Sequence, residues 1–182
     1  SILLSAASFA QKIGEYQFKH LVNNDHTQVT DQGQTGTCWS FSTVSFLESE
    51  VKRNNGKSID LSEMYIVKNT YPKKAYNYVY RQGKAQFSEG GLAHDVINAV
   101  RTDGIVPFEN YTGFVGNIDS YDHSIMVNQL TGYVENIVKY PNAFLKENWM
   151  QEFDTTLEKY MGKEPQSFTY EGKQYTPQQF AT

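Results

Sequence analysis

Apolar residues recur every three or four positions after Cys38, at Phe41, Val44, Leu47 and Val51. This spacing predicts an α-helix over residues 38–54 with one buried face. The pattern stops at NNGKS, where Asn and Gly provide a C-terminal signal. Cys38 is therefore predicted to stand at the first position of a helix.

The same periodicity predicts further helices. In DLSEMYIVKNTY, Ser62 is placed to cap a helix, and SEGGLAHDVINAVRTDGIVP contains a helix that Gly104 closes. Two amphipathic segments follow, SIMVNQLTGYVENIVK and NAFLKENWMQEFDTTLEKYMG, the second ending at Gly162. Only SFTYEGKQYT has the pattern of a strand, a turn and a second strand. A mainly helical chain with one hairpin is expected.

The segment TPQQFAT begins like another helix. Thr176 is in the N-cap position and Pro177 is at the first helical position. Because one helical turn is not stable by itself, we expect the sequence to be a piece of a longer protein.

Composition narrows the classes of function. The formal net charge is −4, and Lys and Arg are scattered rather than gathered into a basic stripe, so nucleic acid is not an expected partner. No run of about 18 apolar residues occurs, so no membrane-spanning helix is predicted. Cys38 is the single cysteine, which excludes a disulfide within the chain.

Residues 1–10 contain a short apolar stretch that ends in small residues at Ser8 and Ala10. This pattern matches the end of a secretory signal peptide cleaved after Ala10, although a cationic start is absent. Alternatively, residues 1–14 are an N-terminal extension that packs on the domain. The first interpretation predicts an exported or periplasmic protein, and the second predicts a cytoplasmic one.

The position of Cys38 makes it a candidate nucleophile. A thiol at the first turn of a helix lies near free backbone N–H groups and the positive end of the helix dipole, which favours the thiolate. Gln32 lies six residues earlier, and the loop between them could aim its amide beside the sulfur. In acyl transfer an oxyanion forms there, and the Cys38 N–H would be a second donor. The alternative is a cysteine that is simply buried in the helix.

The segment DQGQTGTCWSFSTVSFLE resembles the nucleophile segment of papain-like cysteine peptidases. The resemblance implies that Cys38 is the nucleophile and Gln32 the side chain of the oxyanion hole. Gly36 would form part of the wall on the leaving-group side, and Trp39 would pack next to the catalytic pair. Thr35 departs from the pattern, since secreted relatives usually have a disulfide-forming cysteine at that position.

A second segment, SEGGLAHDVINAVRTDGIVPFENY, resembles the Gly-Gly substrate-binding segment of the same peptidases. Gly90 and Gly91 would run along the cleft, and Gly91 would hydrogen-bond the substrate main chain two residues before the scissile bond. Such close backbone approach requires glycine. The two segments together imply the papain-like α+β fold, with residues 15–182 as its N-terminal, helical part and the nucleophile on the central helix.

Within the family, four features look more like bleomycin hydrolase and aminopeptidase C. These are the lack of disulfides, the long spacer from Cys38 to Gly90, the helical insertions after Tyr111, and the phrase LSEMYIVKNTYPKKA. The resemblance implies an aminopeptidase that acts on peptide substrates and assembles into hexamers with its active sites facing an inner cavity. No metal ion or other cofactor is expected.

The catalytic base is not predicted within this chain. In papain-like enzymes a His follows the Cys by about 130 to 150 residues. The histidines of this chain come earlier, at His20, His26, His94 and His123. We interpret them as surface, helix-start or loop residues, so the catalytic His and Asn are expected beyond Thr182. Two alternatives stay open: an inactive papain-like binding protein, and a transglutaminase-like acyltransferase, which also has a Cys-Trp pair at a helix start.

Overall fold

The computed structural model describes residues 19, 21–22 and 24–182. The predictions for residues 1–14 and the position of His20 lie outside the described residues. The helices and strands follow one another in this order: α1 (Cys38–Asn55), α2 (Glu63–Tyr80), α3 (Ala93–Asp103), a 3-10 turn (Phe108–Asn110), α4 (Ser124–Lys139), α5 (Pro141–Phe144), α6 (Trp149–Met161), β1 (Phe168–Tyr170), β2 (Lys173–Tyr175) and α7 (Pro177–Phe180). None of these helices, taken over the described residues, is long and apolar enough to cross a membrane.

Helix α2 is shared by two groups of helices. Helices α1 and α3 contact each other and α2, while α4 and α6 contact each other and α2. Ser62 caps the start of α2 as predicted, because its hydroxyl accepts a hydrogen bond from the Tyr65 N–H at 3.0 Å. The helix buries apolar side chains along its whole length: Met64, Tyr65, Ile66, Val67, Tyr71, Ala75 and Val79. Burial of this extent is typical of a core helix rather than an amphipathic surface helix.

The ends of α1 and α3 confirm the predicted stop signals. Helix α1 ends at Asn55, and Gly56 follows in the left-handed conformation with φ 68°. Gly104 closes α3 with φ 86°, and a Cβ at this position would overlap the carbonyl group of Pro177. Glycine is therefore required at Gly104, where the end of α3 meets the start of α7.

The prediction of one helix over NAFLKENWMQEFDTTLEKYMG is wrong, because the structure has two helices there, α5 and α6. The chain between them contains Lys146, Glu147 and Asn148, which are exposed and have no apolar face to bury. Helix α6 begins at Trp149, which is only 4% exposed and whose carbonyl accepts a hydrogen bond from the Tyr133 hydroxyl at 2.9 Å. Tertiary packing of Trp149 therefore decides where the helix starts.

Strands β1 and β2 form the predicted antiparallel hairpin, with Phe168 opposite Tyr175. Thr176 caps α7 as predicted and accepts a hydrogen bond from the Gln179 N–H at 3.2 Å. The ring of Phe180 packs edge-on against that of Phe168, with 5.2 Å between centroids. The hairpin thus holds a helix that is too short to be stable alone.

Candidate active site

Cys38 is the first residue of α1, and its side chain is exposed. This exposure excludes the alternative of a cysteine buried in the helix. Thr37 is the N-cap residue, but its side chain makes no capping hydrogen bond, and its hydroxyl lies 2.5 Å from that of Thr35 instead. The N–H groups of a first helical turn have no partners within the helix. The Ser40 N–H donates to the Thr37 carbonyl at 2.8 Å, and no side-chain cap from Thr37 covers the N–H groups at the start of α1, the end of the helix that carries the positive dipole.

Gln32 closes the loop that precedes Cys38. The Gln32 carbonyl accepts a hydrogen bond from the Thr35 hydroxyl at 2.9 Å, and the Gln32 amide nitrogen donates to the Thr35 carbonyl at 2.6 Å. The loop consequently folds back on itself. An amide nitrogen carries two hydrogens, so one hydrogen of the Gln32 amide is not used by the bond to Thr35. The assignment of Gln32 to an oxyanion hole stays a prediction.

The segment before α4, residues 121–123, hydrogen-bonds the same loop. Gln34 forms an isolated parallel bridge with Asp122. Its N–H donates to the Tyr121 carbonyl at 2.8 Å, and its carbonyl accepts from the His123 N–H at 3.4 Å. Gly33 has φ 61°, and a Cβ there would lie 2.6 Å from the Tyr121 carbonyl oxygen, so only glycine fits.

Glu89 connects the loop to the Gly-Gly segment. Its carboxylate accepts a hydrogen bond from the Gly36 N–H at 2.7 Å, and its carbonyl accepts from the Trp39 indole N–H at 2.9 Å. A Cβ on Gly36 would lie 2.9 Å from the Glu89 Cβ, so the contact also depends on glycine. Glu89 was not predicted from the sequence, although its position directly before Gly90 was a signal that could have indicated it.

Gly91 lies against the face of the Trp39 indole. A Cβ on Gly91 would come within 2.7 Å of the ring atoms Cδ2 and Cε2, whereas a Cβ on Gly90 would meet nothing nearer than the Ser88 hydroxyl at 3.9 Å. Trp39 is 7% exposed and has little room to move. Within the part of the chain that the structure describes, no group hydrogen-bonds the N–H or the carbonyl of Gly91. This backbone unit therefore remains available to a ligand.

His123 precedes α4 as predicted, but it is not a solvent-facing loop residue. It is 4% exposed, and burial lowers its pKa to about 4, so its ring is neutral near pH 7. Its Nδ1 lies 3.9 Å from Oε1 of Glu89. The other two described histidines, His26 and His94, are exposed. Among the described residues, no histidine hydrogen-bonds the sulfur of Cys38.

Two buried carboxylates anchor the segment that leads into the loop. Glu48 accepts hydrogen bonds from the Thr27 hydroxyl at 2.6 Å and the Leu61 N–H at 2.7 Å. Glu63 accepts from the Thr30 hydroxyl at 2.9 Å, and burial raises its pKa to about 7. The sequence pattern placed Glu48 among the polar positions of α1, because carboxylates are rarely buried without such partners.

The site combines an exposed thiol at a helix start, an amide donor in the same loop and an open glycine backbone against a tryptophan face. These are parts that enzymes use for thiol-dependent acyl transfer on extended peptides. Among the described residues, no group of three or more His, Cys, Asp or Glu side chains is arranged to hold a metal ion.

Comparison with known proteins identifies the family. The family model described as "Papain family cysteine protease" matches residues 17–170, and the chain belongs to this family. It is 36% identical over 86 residues to the senescence-specific cysteine protease SAG39 of Oryza sativa subsp. indica. The aligned region covers 47% of this chain and 22% of that protein. It is also 44% identical to cathepsin K of Gallus gallus over 29% of this chain and 19% of that protein.

A solved structure confirms the fold. The crystal structure of PepW from Lactobacillus rhamnosis matches with a TM-score of 0.60 over 88% of this chain and 44% of that chain, at 17% identity. The papain-like α+β fold, represented here by its helical half, is therefore shown. The chain spans less than half the length of each of these three proteins. The family assignment also removes the transglutaminase-like alternative.

Proposed function

We propose that the protein hydrolyses peptide bonds with Cys38 as its nucleophile and acts as an aminopeptidase of the bleomycin hydrolase type. The observation that carries the proposal is the exposed Cys38 at the uncapped start of α1, joined through Trp39 to the open backbone of Gly91. Membership of the papain family supports cysteine peptidase chemistry.

In the proposed reaction, the Cys38 thiolate attacks the carbonyl carbon of the scissile bond, and the carbonyl oxygen takes the negative charge. The Gln32 amide and the Cys38 N–H donate hydrogen bonds to this oxyanion. The C–N bond then breaks, the leaving amine takes a proton from an imidazolium, and a thioester remains on Cys38. Water deprotonated by the imidazole attacks the thioester and releases the carboxylic acid and the free thiol.

The substrate main chain would lie along Gly90 and Gly91, with its hydrogen bonds made to Gly91. Gly36 would form part of the wall on the leaving-group side, and Trp39 would pack next to the catalytic pair. The contacts of Glu89 with Gly36 and Trp39 support this assignment, because they join the loop and the Gly-Gly segment into one surface.

The catalytic His and the Asn that orients it come, in this proposal, from outside residues 1–182, and residues 15–182 supply the nucleophile. The burial of His123 against Glu89 supports this assignment. We expect His123→Gln to change kcat less than about tenfold, because loss of a general base costs on the order of 100- to 10,000-fold. A loss of that larger size, with an unchanged circular dichroism spectrum, would assign the base to His123 instead.

The aminopeptidase type rests on the single cysteine, on the long spacer between Cys38 and Gly90, and on the helices α4 to α6 that follow Tyr111. The test compares an aminoacyl-coumarin with its N-acetylated form, using the full-length protein and its Cys38→Ala variant. We expect the free-amino substrate to be cleaved at least about tenfold faster, which is a preference of about 1.4 kcal/mol, and the variant to cleave neither.

Two other results would change the proposal. Equal cleavage of the blocked and free substrates would indicate an endopeptidase. No cleavage of either substrate, by a folded protein whose Cys38 can still be alkylated, would support the inactive binding protein.

Assembly of the full-length protein into hexamers is a further part of this proposal and rests on the family resemblance. Sedimentation velocity at micromolar concentration would measure it. A species of one subunit's mass at every concentration would contradict the hexamer without affecting the assignment of Cys38.

A further inference from the structure

Lys74 of α2 reaches the Gly-Gly segment and holds its backbone. Its ammonium group donates hydrogen bonds to the carbonyl of Ser88, at 2.5 Å, and to the carbonyl of Gly90. The neighbouring Lys73 behaves differently, because it is exposed and pairs with the carboxylate of Asp103. Lys74 therefore donates hydrogen bonds to two main-chain carbonyls, whereas Lys73 forms an ion pair.

The carbonyl between these two is held from another element. The Glu89 carbonyl accepts a hydrogen bond from the Trp39 indole of α1 at 2.9 Å, while the carbonyls of Ser88 and Gly90 are held by Lys74 of α2. Three consecutive carbonyls thus have side-chain donors, and these donors fix the rotation of the segment about its own axis. The next backbone unit, that of Gly91, has no hydrogen-bond partner within the described residues.

The ammonium group of Lys74 is partly buried, and its hydrogen-bond acceptors are uncharged main-chain carbonyls. Burial lowers the pKa of Lys74, and the negative charges of Asp95 and Glu89 partly oppose this effect. Hydrogen bonds from a charged donor are roughly twice as strong as neutral ones. An apolar side chain at Lys74 would leave the carbonyls of Ser88 and Gly90 without their donor.

We propose that Lys74 is a positioning residue: by holding the carbonyls of Ser88 and Gly90 against α2, it presents the N–H and carbonyl of Gly91 to the main chain of the substrate. This inference rests on the proposed function, in which Gly91 binds the substrate backbone. Lys74 touches neither substrate nor nucleophile in this scheme and acts only through the segment that it holds.

The test uses two alkylating probes of Cys38 in the full-length protein. Iodoacetamide is small and needs only the thiol, whereas an epoxysuccinyl dipeptide must also align its main chain with the cleft. We expect Lys74→Met to slow inactivation by the epoxysuccinyl peptide on the order of tenfold, the equivalent of losing about one charge-assisted hydrogen bond. The rate with iodoacetamide should stay within about twofold, because the thiol itself is untouched.

Two further variants make the comparison specific. Lys73→Met is the matched control from the adjacent position, and both of its rates should equal those of the wild type. Lys74→Arg should recover part of the lost epoxide rate, because a guanidinium has enough donors to reach both carbonyls. On the coumarin substrate, Lys74→Met should raise KM more than it lowers kcat.

Several results would overturn the inference. Lys74 does not position the cleft if Lys74→Met leaves the rate with the epoxysuccinyl peptide unchanged. The same conclusion follows if Lys74→Met and Lys74→Arg each lower the rates with iodoacetamide and with the epoxysuccinyl peptide by the same factor. If the wild-type protein reacts with neither probe, the proposed function itself fails, and this inference falls with it. If the wild-type protein reacts with both probes, the proposed function stands, and a negative result with the Lys74 variants then contradicts only the inference about Lys74.

Discussion

At the scale of single residues, the candidate site depends on two glycines that look equivalent in the sequence and differ in the structure. Gly91 packs on the Trp39 indole with no space for a Cβ, while Gly90 faces open space. Both were assigned to the substrate cleft from the same motif. The structure distinguishes them, because a Cβ would meet the Trp39 indole at Gly91 but not at Gly90.

Gly91→Ala should therefore lower kcat/KM, with Gly90→Ala as its matched control. The methyl group that this substitution adds would have to displace either the segment or the indole, since it would start 2.7 Å from ring carbons of Trp39. A misplacement of about 1 Å can cost on the order of 100-fold in rate, and we expect a loss of between about 10-fold and 100-fold. Gly90→Ala should lower kcat/KM less than Gly91→Ala does, because its methyl group would meet no protein atom nearer than 3.9 Å. Equal effects of the two substitutions in a coumarin assay would contradict the packing described.

Gln32→Ala addresses the oxyanion hole. An oxyanion donor acts chiefly as the transition state forms, so kcat should fall on the order of 100-fold or more while KM changes little. Steady-state kinetics of the full-length protein measure both constants. An unchanged kcat with a raised KM would make Gln32 a binding residue instead.

Within the candidate site, the structural positions that could be predicted are those whose signal is local. Cys38, Gln32 and Trp39 lie within one short segment whose helix start and loop are readable from the sequence. The contacts of Glu89 and Lys74 could not be predicted, because they join positions far apart in the chain, such as Gly36 with Glu89. Hydrophobic periodicity relates only residues that lie near one another along the sequence.

At the scale of secondary structure, the boundaries that were predicted correctly are those set by backbone chemistry. Ser62, Gly56 and Gly104 act within one turn of the helix that they begin or end. The break between α5 and α6 was missed because it depends on where Trp149 enters the core. Local signals therefore predict most helix ends, and tertiary packing decides the rest.

The first turn of α2 contains a buried carboxylate that should make stability depend on pH. Burial raises the pKa of Glu63 from an ordinary value of 4.5 to about 7. The folded state consequently binds the proton more tightly than the unfolded state does. This stabilisation is fully present below about pH 4.5 and is lost as the pH rises through 7.

Glu63→Gln should remove this dependence, because the amide does not titrate. Between pH 5 and pH 8, the free energy of unfolding of the wild type should fall relative to that of the variant by up to about 3 kcal/mol. Urea unfolding at the two pH values measures the difference, and Glu50→Gln, on the surface of α1, is the control. Identical pH dependence in the wild type and Glu63→Gln would show that Glu63 titrates normally.

At the scale of the whole molecule, the site lies where three distant parts of the chain meet. The loop before α1 contacts the Gly-Gly segment through Glu89 and the segment before α4 through Gln34. Helix α2 supports this meeting point by contacting α1 and α3 and by directing Lys74 to the Gly-Gly segment. The geometry of the site is thus a property of the assembled helical unit rather than of one motif.

The assignment of Cys38 as the nucleophile is the central claim, and its alkylation rate is the most direct test. The measurement is the rate of iodoacetamide labelling of the full-length protein near neutral pH, with the label located by mass spectrometry and hydrolysis assayed in parallel. The reference is a free cysteine peptide, whose thiol has a pKa of about 8.5.

We predict that Cys38 reacts at least about tenfold faster than the peptide, because an adjacent general base activates the nucleophile of a cysteine peptidase, and that labelling abolishes hydrolysis in proportion. A rate no higher than that of the peptide, or full labelling of Cys38 with hydrolysis intact, would contradict the assignment.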